Sequence, residues 1–123
     1  MAQNPAFSLL IGIVGPCGAG KTTLARALHE SGFRARQIAQ EHSYVLAMWS
    51  LLTQPDILVY LDASFEICSK RKAFDWTPRE YEEQQARLAH ARSHCDVLVD
   101  TDRLSPGEVL RQVLAAVGGR AAG

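Results

Sequence analysis

Eight residues near the start of the chain have the types and the spacing of a phosphate-binding loop. They read Gly15-Pro16-Cys17-Gly18-Ala19-Gly20-Lys21-Thr22, which fits the P-loop pattern G-x-x-x-x-G-K-[ST]. Glycines allow tight turns and let backbone N–H groups approach phosphate oxygens. Lys21 supplies a positive charge for the β- and γ-phosphates, and the Thr22 hydroxyl is a ligand for Mg²⁺. The motif therefore predicts a phosphate site.

The sequence on both sides of this loop has the pattern that the motif requires. Residues 8–14 are an apolar run that predicts a buried strand, and residues 23–31 predict a helix that ends at Gly32. The first turn of this helix, with Thr23, directs the positive end of the helix dipole at the anion. The alternative is a glycine-rich turn in an ordinary α/β unit.

The rest of the chain alternates between strand and helix patterns. Further strands are predicted at residues 33–39, 57–61 and 96–100, and further helices at 43–53, 64–72, 78–93 and 105–117. Alternation of this kind predicts an α/β fold in which helices cover both faces of a four-stranded parallel sheet, a three-layer α/β/α arrangement. We expect a single domain over residues 1–123, with flexible ends at about 1–5 and 118–123.

The predicted helix at residues 43–53 is apolar on almost every side. Ser43 is its predicted N-cap. At the other end of the chain, Gly118 and Gly119 are expected to end the last helix. A helix that is apolar all round is buried or is covered by a partner. We expect burial in the core, with a homodimer interface as the alternative.

Composition excludes several classes of protein. The chain has 123 residues, a formal net charge of zero and 47% hydrophobic residues, which fits a globular domain and argues against a basic nucleic-acid-binding face. No apolar run approaches the roughly 20 residues of a membrane span. The three cysteines lack zinc-type spacing, which predicts reduced thiols in the cytoplasm. We therefore expect neither nucleic acid nor a membrane as a partner.

The ordered motifs resemble those of the P-loop kinases of nucleotides and small metabolites, such as adenylate, thymidylate, shikimate and gluconate kinases. The resemblance rests on residues 15–22, 55–63 and 97–101 and on Arg71, and it spans most of the chain. It implies a P-loop NTPase topology of the kinase type, with ATP and Mg²⁺ bound at the loop. The implied reaction transfers the γ-phosphoryl group to a small acceptor.

The same resemblance implies roles for residues outside the loop. Arg71 corresponds to an arginine that stacks on adenine, although a helix-end arginine that interacts with the helix dipole is an equal alternative. Thr101 and Asp102 correspond to the loop that borders adenine. Arg79 lies in the implied lid region and would neutralise the transferring phosphoryl group, a role for which Lys70 and Lys72 compete.

The acceptor side departs from the kinase pattern. Only residues 33–54 are available for it, and Glu41 and His42 replace the usual acidic-plus-arginine signature. Glu41 is predicted to orient an Mg²⁺ water or to accept the acceptor's proton, and a solvated loop acid is the alternative. His42 is a weaker candidate for the acceptor or a phosphate. The rival function is a nucleotide-binding module or slow NTPase that acts as a switch, with residues 43–53 as its interaction surface.

Two histidines provide one further candidate. His90 and His94 are four residues apart on a predicted helix and share a face, a spacing that zinc sites use. They lack an intervening acid, and Cys95 is the only evident third ligand. A solvated helix face is the favoured interpretation.

Overall fold

The structure, a computed structural model, describes residues 5–73 and 75–122. Along these residues the elements follow the order α1 (Pro5–Ser8), β1 (Leu10–Val14), α2 (Lys21–Glu30), β2 (Arg34–Gln37), a 3₁₀-helix (Gln40–His42), a π-helix (Trp49–Thr53), β3 (Ile57–Asp62), α3 (Phe65–Lys72), α4 (Pro78–His94), β4 (Val97–Asp100) and α5 (Pro106–Ala122). Within those ranges no helix is long and apolar enough to cross a bilayer. Of the ends expected to be flexible, residues 1–4 and residue 123 lie outside the described residues.

The sheet has the architecture that the alternating pattern predicts. Its four strands lie in the order β2-β1-β3-β4 and are all parallel. Ile13 of β1 pairs with Val59 of β3 in the centre of the sheet. Because the strands are parallel, the loops that follow β1, β2, β3 and β4 all lie at one edge, where ligands bind in open α/β sheets. The α/β fold class is confirmed.

Helices cover both faces of the sheet. One face packs against α2 and α5 through a buried cluster that includes Ile13, Leu28 and Val113. The other face packs against α4 through a second cluster that includes Tyr60 and Leu88. Successive strand residues point to opposite faces, so each strand contributes to both clusters. This confirms the three-layer arrangement.

Local capping signals place the helix starts where the sequence predicts them. Ser64 caps α3, and Thr77 and Glu80 form a reciprocal capping box at the start of α4. Ser105 and Glu108 make the same pair of hydrogen bonds at the start of α5. Hydrogen bonds from Ser105, first from its backbone N–H, hold the pKa of Glu108 below its ordinary value. These contacts are made within four residues and need no tertiary partner.

The prediction of one buried helix at residues 43–53 is wrong. The segment bends through residues 44–48 and then forms the π-helix, and several of its apolar side chains are exposed, including Tyr44 (85%) and Leu52 (77%). The buried Gln40 side chain explains the break. Its amide donates to the Val45 carbonyl (2.9 Å) and its oxygen accepts from the Trp49 N–H (3.0 Å), so it occupies backbone groups that a regular helix would pair.

The predicted end of the last helix is also wrong. Helix α5 continues through Gly118 and Gly119 to residue 122. Two glycines cost a helix about 2 kcal/mol relative to alanine. The side chains of Val113 and Val117 are fully buried against the sheet. Packing of this helical face therefore outweighs the local signal.

Candidate functional site

The phosphate loop lies at the carboxyl edge of the sheet, between the end of β1 and the start of α2. Gly15, Gly18 and Gly20 have positive φ angles of 155°, 89° and 100°. A Cβ on Gly15 would collide with the Leu61 carbonyl, and one on Gly18 would lie 2.8 Å from the Cys68 carbonyl. Glycine is required at both positions because the loop passes directly over the backbone of its neighbours. The loop therefore has the shape of a backbone cradle.

Lys21 is folded back into this cradle. Its ammonium group donates to the carbonyls of Gly15 (2.8 Å) and Pro16 (3.2 Å) and lies 2.6 Å from Oε2 of Glu41. Both partners of this ion pair are buried, with side-chain exposures of 9% for Lys21 and 5% for Glu41. The lysine charge is thus balanced by Glu41 and by oxygens of the loop itself.

Glu41 has unused capacity for a ligand. Its Oε1 is buried and finds no hydrogen-bond partner among the residues that the structure describes. A buried carboxylate oxygen without a donor or a cation is costly. The carboxylate is held at this place because the 3₁₀-helix follows β2 and because Arg87 donates to the Glu41 carbonyl (3.3 Å). The arrangement fits the binding of a metal ion or of a donor group.

Thr22 and Thr23 stand at the start of α2, beside Lys21. The Thr22 hydroxyl donates to Oε1 of Gln37 at 3.1 Å, and both threonines are exposed to the cleft. Gln37 ends β2, so the strand and the helix N-terminus meet at this hydroxyl. Together with the unpartnered Glu41 oxygen, Thr22 offers hard oxygen ligands of the kind that Mg²⁺ takes. The residues present fit the expected magnesium site.

Arg71 connects the phosphate loop to the loop that follows β4. Its guanidinium donates to the Thr101 hydroxyl (2.9 Å) and carbonyl (2.7 Å), and at longer range to the carbonyls of Gly18 and Ala19. Thr101 is itself buried and donates to the Asp62 carbonyl (2.9 Å). The guanidinium is therefore held in place before any base is bound. The stacking role on adenine stays a prediction.

These groups line one continuous cleft of about 570 Å³. Its lining consists of Cys17, Gly18, Ala19, Gly20, Lys21, Thr22, Thr23, Leu24, Gln37, Glu41, His42, Arg71, Lys72, Thr101, Leu104, Pro106 and Val109. The volume is typical of a small-molecule site. Phosphate-binding groups lie at one part of the cleft, and the apolar side chains from α5 and the loop before it lie at another.

Four predicted site residues do not line the cleft. Gly15 and Pro16 form the underlying turn of the loop. Asp102 accepts a hydrogen bond from the Ser64 N–H (2.8 Å) and so fixes the loop after β4 to the start of α3. Arg79 lies on the exposed first turn of α4, 3.4 Å from Glu83. Of the three basic residues considered for a lid, Lys72 is the one that reaches the cleft.

Sequence reasoning missed Gln84 as a support of the loop. Its side chain, 7% exposed, accepts from the Cys17 N–H (3.0 Å) and donates to the Cys17 sulfur (3.3 Å). The two residues are 67 positions apart, and no local signal connects them. Gln37 and the apolar residues of α5 were also missed as lining residues. The helical periodicity of α5 predicts one apolar face but not that part of this face borders the cleft.

The histidine pair on α4 packs against the segment that was expected to be helical. The rings of His90 and His94 are stacked with centroids 4.2 Å apart, and Nδ1 of His90 accepts from the Trp49 indole (3.1 Å). Cys95 instead donates to the carbonyl of Arg92 (3.2 Å). The described residues do not bring these three side chains together as a set of metal ligands.

The two cysteines near the phosphate loop, Cys68 and Cys17, differ in their exposure to solvent. Cys68 is fully buried below Gly18, and desolvation raises its pKa to about 11. It therefore remains a neutral thiol at physiological pH. Cys17 is partly exposed at the lip of the cleft.

The site combines a glycine-rich loop at the carboxyl edge of a parallel sheet with a lysine whose ammonium lies inside the loop. These features define a P-loop nucleotide-binding domain. Residues 11–112 match the family model described as an AAA domain, so the chain belongs to this family of P-loop NTPases. The match covers the phosphate loop, Glu41, Arg71 and Thr101. No curated protein matches the chain.

Proposed function

We propose that this protein binds ATP with Mg²⁺ and transfers the γ-phosphoryl group to a small-molecule acceptor, such as a nucleoside, a nucleotide or a small metabolite. The observation that carries the proposal is the 2.6 Å ion pair between Lys21 and Glu41 inside the cleft. Phosphoryl transfer uses a cation for the phosphates and a side chain that orients or deprotonates the attacking oxygen, which is a carboxylate in protein kinases. This pair supplies both charges at one place.

The donor half of the proposal rests on the phosphate loop. Lys21 would exchange the carbonyls of Gly15 and Pro16 and the Glu41 carboxylate for phosphate oxygens. The backbone N–H groups of residues 18–22 would add neutral donors around the phosphates. Arg71 and the loop at Thr101 would face the base, with Leu104 as part of the apolar wall. Positioning and charge stabilisation supply most of the catalysis in reactions of this type.

The acceptor half of the proposal rests on Glu41. When phosphates draw Lys21 away, the carboxylate is free to accept a proton from the acceptor hydroxyl. The acceptor oxygen then bonds to the γ-phosphorus, and the bond from that phosphorus to the β–γ bridging oxygen breaks, so ADP leaves. Mg²⁺, when bound, neutralises phosphate charge. Thr22 directly and Glu41 through water are the residues that would hold it.

The proposed reaction has a place for one more positively charged side chain, next to the transferring phosphoryl group. Arg79 keeps this role as a proposal from the resemblance to kinases, although its guanidinium is directed toward Glu83. Lys72 already lines the cleft and is the competing candidate. We also propose a cytoplasmic location, which the three free thiols support, and no nucleic-acid partner, which the zero net charge supports.

A second candidate function is a nucleotide-binding module or slow NTPase that acts as a switch or an interaction protein. The observation that favours it is the apolar surface at residues 44–52, where Tyr44, Val45, Leu46, Leu51 and Leu52 are all at least half exposed. Exposed apolar patches of this kind mark interaction surfaces. A homodimer through residues 43–53 is one form of this proposal.

Calorimetry with ATP and Mg²⁺ tests the donor site. We expect Lys21→Ala to weaken binding by well over about tenfold, because its ammonium is the main positive charge in the cradle. Arg26→Ala, which removes an exposed positive charge from α2 outside the cleft, should bind ATP as the unmodified protein does. Equal affinity in Lys21→Ala and the unmodified protein would exclude the proposed site.

ADP release tests the transfer reaction. A panel of nucleosides, nucleoside monophosphates and small alcohols is expected to contain an acceptor that raises the rate above the rate with water alone. We expect Glu41→Gln to lower this rate by about 10²–10⁴-fold, since it removes the proposed base. ATP binding without any acceptor-dependent rate would favour the binding module over the kinase.

A further inference from the structure

Three different metal-ligating side chains meet at the lip of the cleft. The Cys17 sulfur lies 3.5 Å from Nε2 of His42 and 3.8 Å from Oε2 of Glu41. Nε2 of His42 lies 4.0 Å from the same Glu41 oxygen. One thiol, one imidazole and one carboxylate thus form a compact triangle of ligand atoms. The phosphate loop contributes one of them, and the 3₁₀-helix after β2 contributes the other two.

The dimensions of this triangle fit zinc. Zinc lies about 2.3 Å from thiolate sulfur and about 2.0–2.2 Å from imidazole nitrogen or carboxylate oxygen, with tetrahedral angles. These lengths place a sulfur and a nitrogen ligand about 3.5 Å apart, and a nitrogen and an oxygen ligand about 3.4 Å apart. The sulfur–nitrogen edge already has this length. The sulfur–oxygen edge is 3.8 Å long and the nitrogen–oxygen edge is 4.0 Å long, so both must shorten on zinc binding. The His42 side chain is 60% exposed, so its ring can turn to shorten the nitrogen–oxygen edge.

A second observation concerns the other oxygen of the same carboxylate. Glu41 is 4% exposed, and its Oε1 has no partner in the described part of the chain. The carboxylate therefore has more acceptor capacity than Lys21 alone satisfies. On the other side of the triangle, the Gln84 amide donates to the Cys17 sulfur at 3.3 Å. A hydrogen bond to the sulfur supports a thiolate ligand and fixes its direction.

We propose that the lip of the cleft is a binding site for a thiophilic divalent cation, with Zn²⁺ as the physiological type. Cys17 Sγ, His42 Nε2 and the Glu41 carboxylate are its ligands, and a fourth coordination position faces the cleft. Sulfur and imidazole ligands select zinc over Mg²⁺, which takes oxygen ligands. Binding releases the Cys17 thiol proton to solvent and changes no oxidation state. The site does not depend on the proposed phosphoryl transfer.

The ammonium of Lys21 opposes this cation. It lies 2.6 Å from the carboxylate oxygen that completes the triangle, so the metal and the lysine compete for one negative charge. Removal of the ammonium leaves Glu41 buried without a counterion, and zinc would replace the lost charge. Lys21→Met should therefore bind zinc more tightly while it loses ATP binding. The two proposals predict opposite effects of the same substitution.

Titration of the nucleotide-free protein with Zn²⁺ and with Co²⁺ tests the site. We expect one equivalent of metal and, with Co²⁺, a thiolate-to-cobalt charge-transfer band in the near ultraviolet. Cys17→Ser should lose the band, and His42→Ala should weaken zinc binding by more than about tenfold. Lys21→Met should tighten it by about threefold or more, since the competing charge is gone.

Cys95→Ser and His94→Ala are the matched controls, because they remove the same residue types from outside the triangle. Both should bind zinc with unchanged affinity. A band that persists in Cys17→Ser, a loss of binding in the controls, or weaker binding in Lys21→Met would overturn the proposal. His42 is mostly exposed, so we expect His42→Ala to retain the fold. Its zinc affinity therefore tests the proposal even where another variant unfolds. Failure of ATP to bind would contradict the proposed function and leave these results unaffected.

Discussion

The two ends of the cleft are constructed in different ways. The donor end comprises the phosphate loop, the start of α2, Arg71 and Thr101. Its backbone is determined locally by glycines, and its loop carbonyls are tied to Arg71 at 3.3–3.4 Å. The proposed acceptor side comprises residues 38–53, of which Glu41 and His42 line the cleft, and it follows a short edge strand. One buried side chain, Gln40, holds most of its irregular backbone in place.

This contrast shows how a general site and a variable site can share one fold. Phosphate groups are alike in every nucleotide, so backbone N–H donors in a rigid loop suit them all. Acceptors differ from one kinase to the next, and the proposed acceptor side is formed by residues whose backbone follows no α-helix or strand for most of its length. The Lys21–Glu41 ion pair joins the two ends, because each residue comes from a different one.

Gly15→Ala is the strongest test of the donor end. The new Cβ would collide with the Leu61 carbonyl at a φ of 155°, which forces the loop away from β3. We expect a loss of about 3 kcal/mol or more in the free energy of unfolding and loss of ATP binding. Chemical denaturation and calorimetry measure both. Gly118→Ala, with open space around its Cβ inside α5, should instead raise stability by about 0.5–1 kcal/mol.

Gln40→Ala tests the acceptor side. Gln40 is fully buried and its side chain makes three hydrogen bonds to backbone groups, at Val45, Arg87 and Trp49. We expect a loss of about 2–4 kcal/mol and faster proteolysis within residues 44–52, since these groups lose their partners. The affinity for ATP should change much less than in Gly15→Ala. The exposed Gln112→Ala on α5 is the control, and equal stability of the two variants would contradict the assigned role.

A pH titration probes the packing beneath the donor end. Burial raises the pKa of Cys68 to about 11, so its neutral thiol favours the folded state. This contribution is complete below the unfolded thiol pKa of about 8.5 and is lost as the pH rises toward 11, with a limit of about 3 kcal/mol. Tyr81, with a pKa raised to about 12 by burial, acts in the same direction at higher pH.

The measurement is the free energy of unfolding at several pH values between 7.5 and 11. Cys68→Ala should lower stability at pH 7.5 because it leaves a cavity, yet its decline between pH 8.5 and 10 should be shallower than that of the unmodified protein. An identical slope in both proteins would show that Cys68 ionisation does not contribute.

Leu52→Ser has the smallest expected effect on stability and tests whether the exposed apolar surface at residues 44–52 is an interface. Leu52 is 77% exposed, so the substitution should change the free energy of unfolding by less than about 0.5 kcal/mol. Leu88→Ser, in the buried cluster on α4, serves as the destabilising comparison. Size-exclusion chromatography at several concentrations tests the homodimer prediction. A dimer that Leu52→Ser weakens would support that prediction, and a concentration-independent monomer would contradict it.

Much of the fold was predictable because its signals are local. The strand before the loop, the glycine positions and the capping boxes at Thr77 and Ser105 involve residues within a few positions of each other. Parallel alternation of strands and helices then implies that Glu41 lies at the same edge as Lys21. Residues 43–53 could not be predicted in this way, because the side chain of Gln40 replaces the helical hydrogen bonds. Apolar composition alone does not reveal such competition.

The sequence by itself determined the phosphate loop, the α/β alternation and the placement of candidate residues at one sheet edge, since these follow from backbone conformation and hydrophobic periodicity. Only the tertiary structure decided which side chains meet. It brought Gln84 to Cys17 and paired Lys21 with Glu41 at 2.6 Å. Such contacts depend on how the helices pack on the sheet. They join residues that are 20 to 67 positions apart in the chain, so no local sequence pattern predicts them.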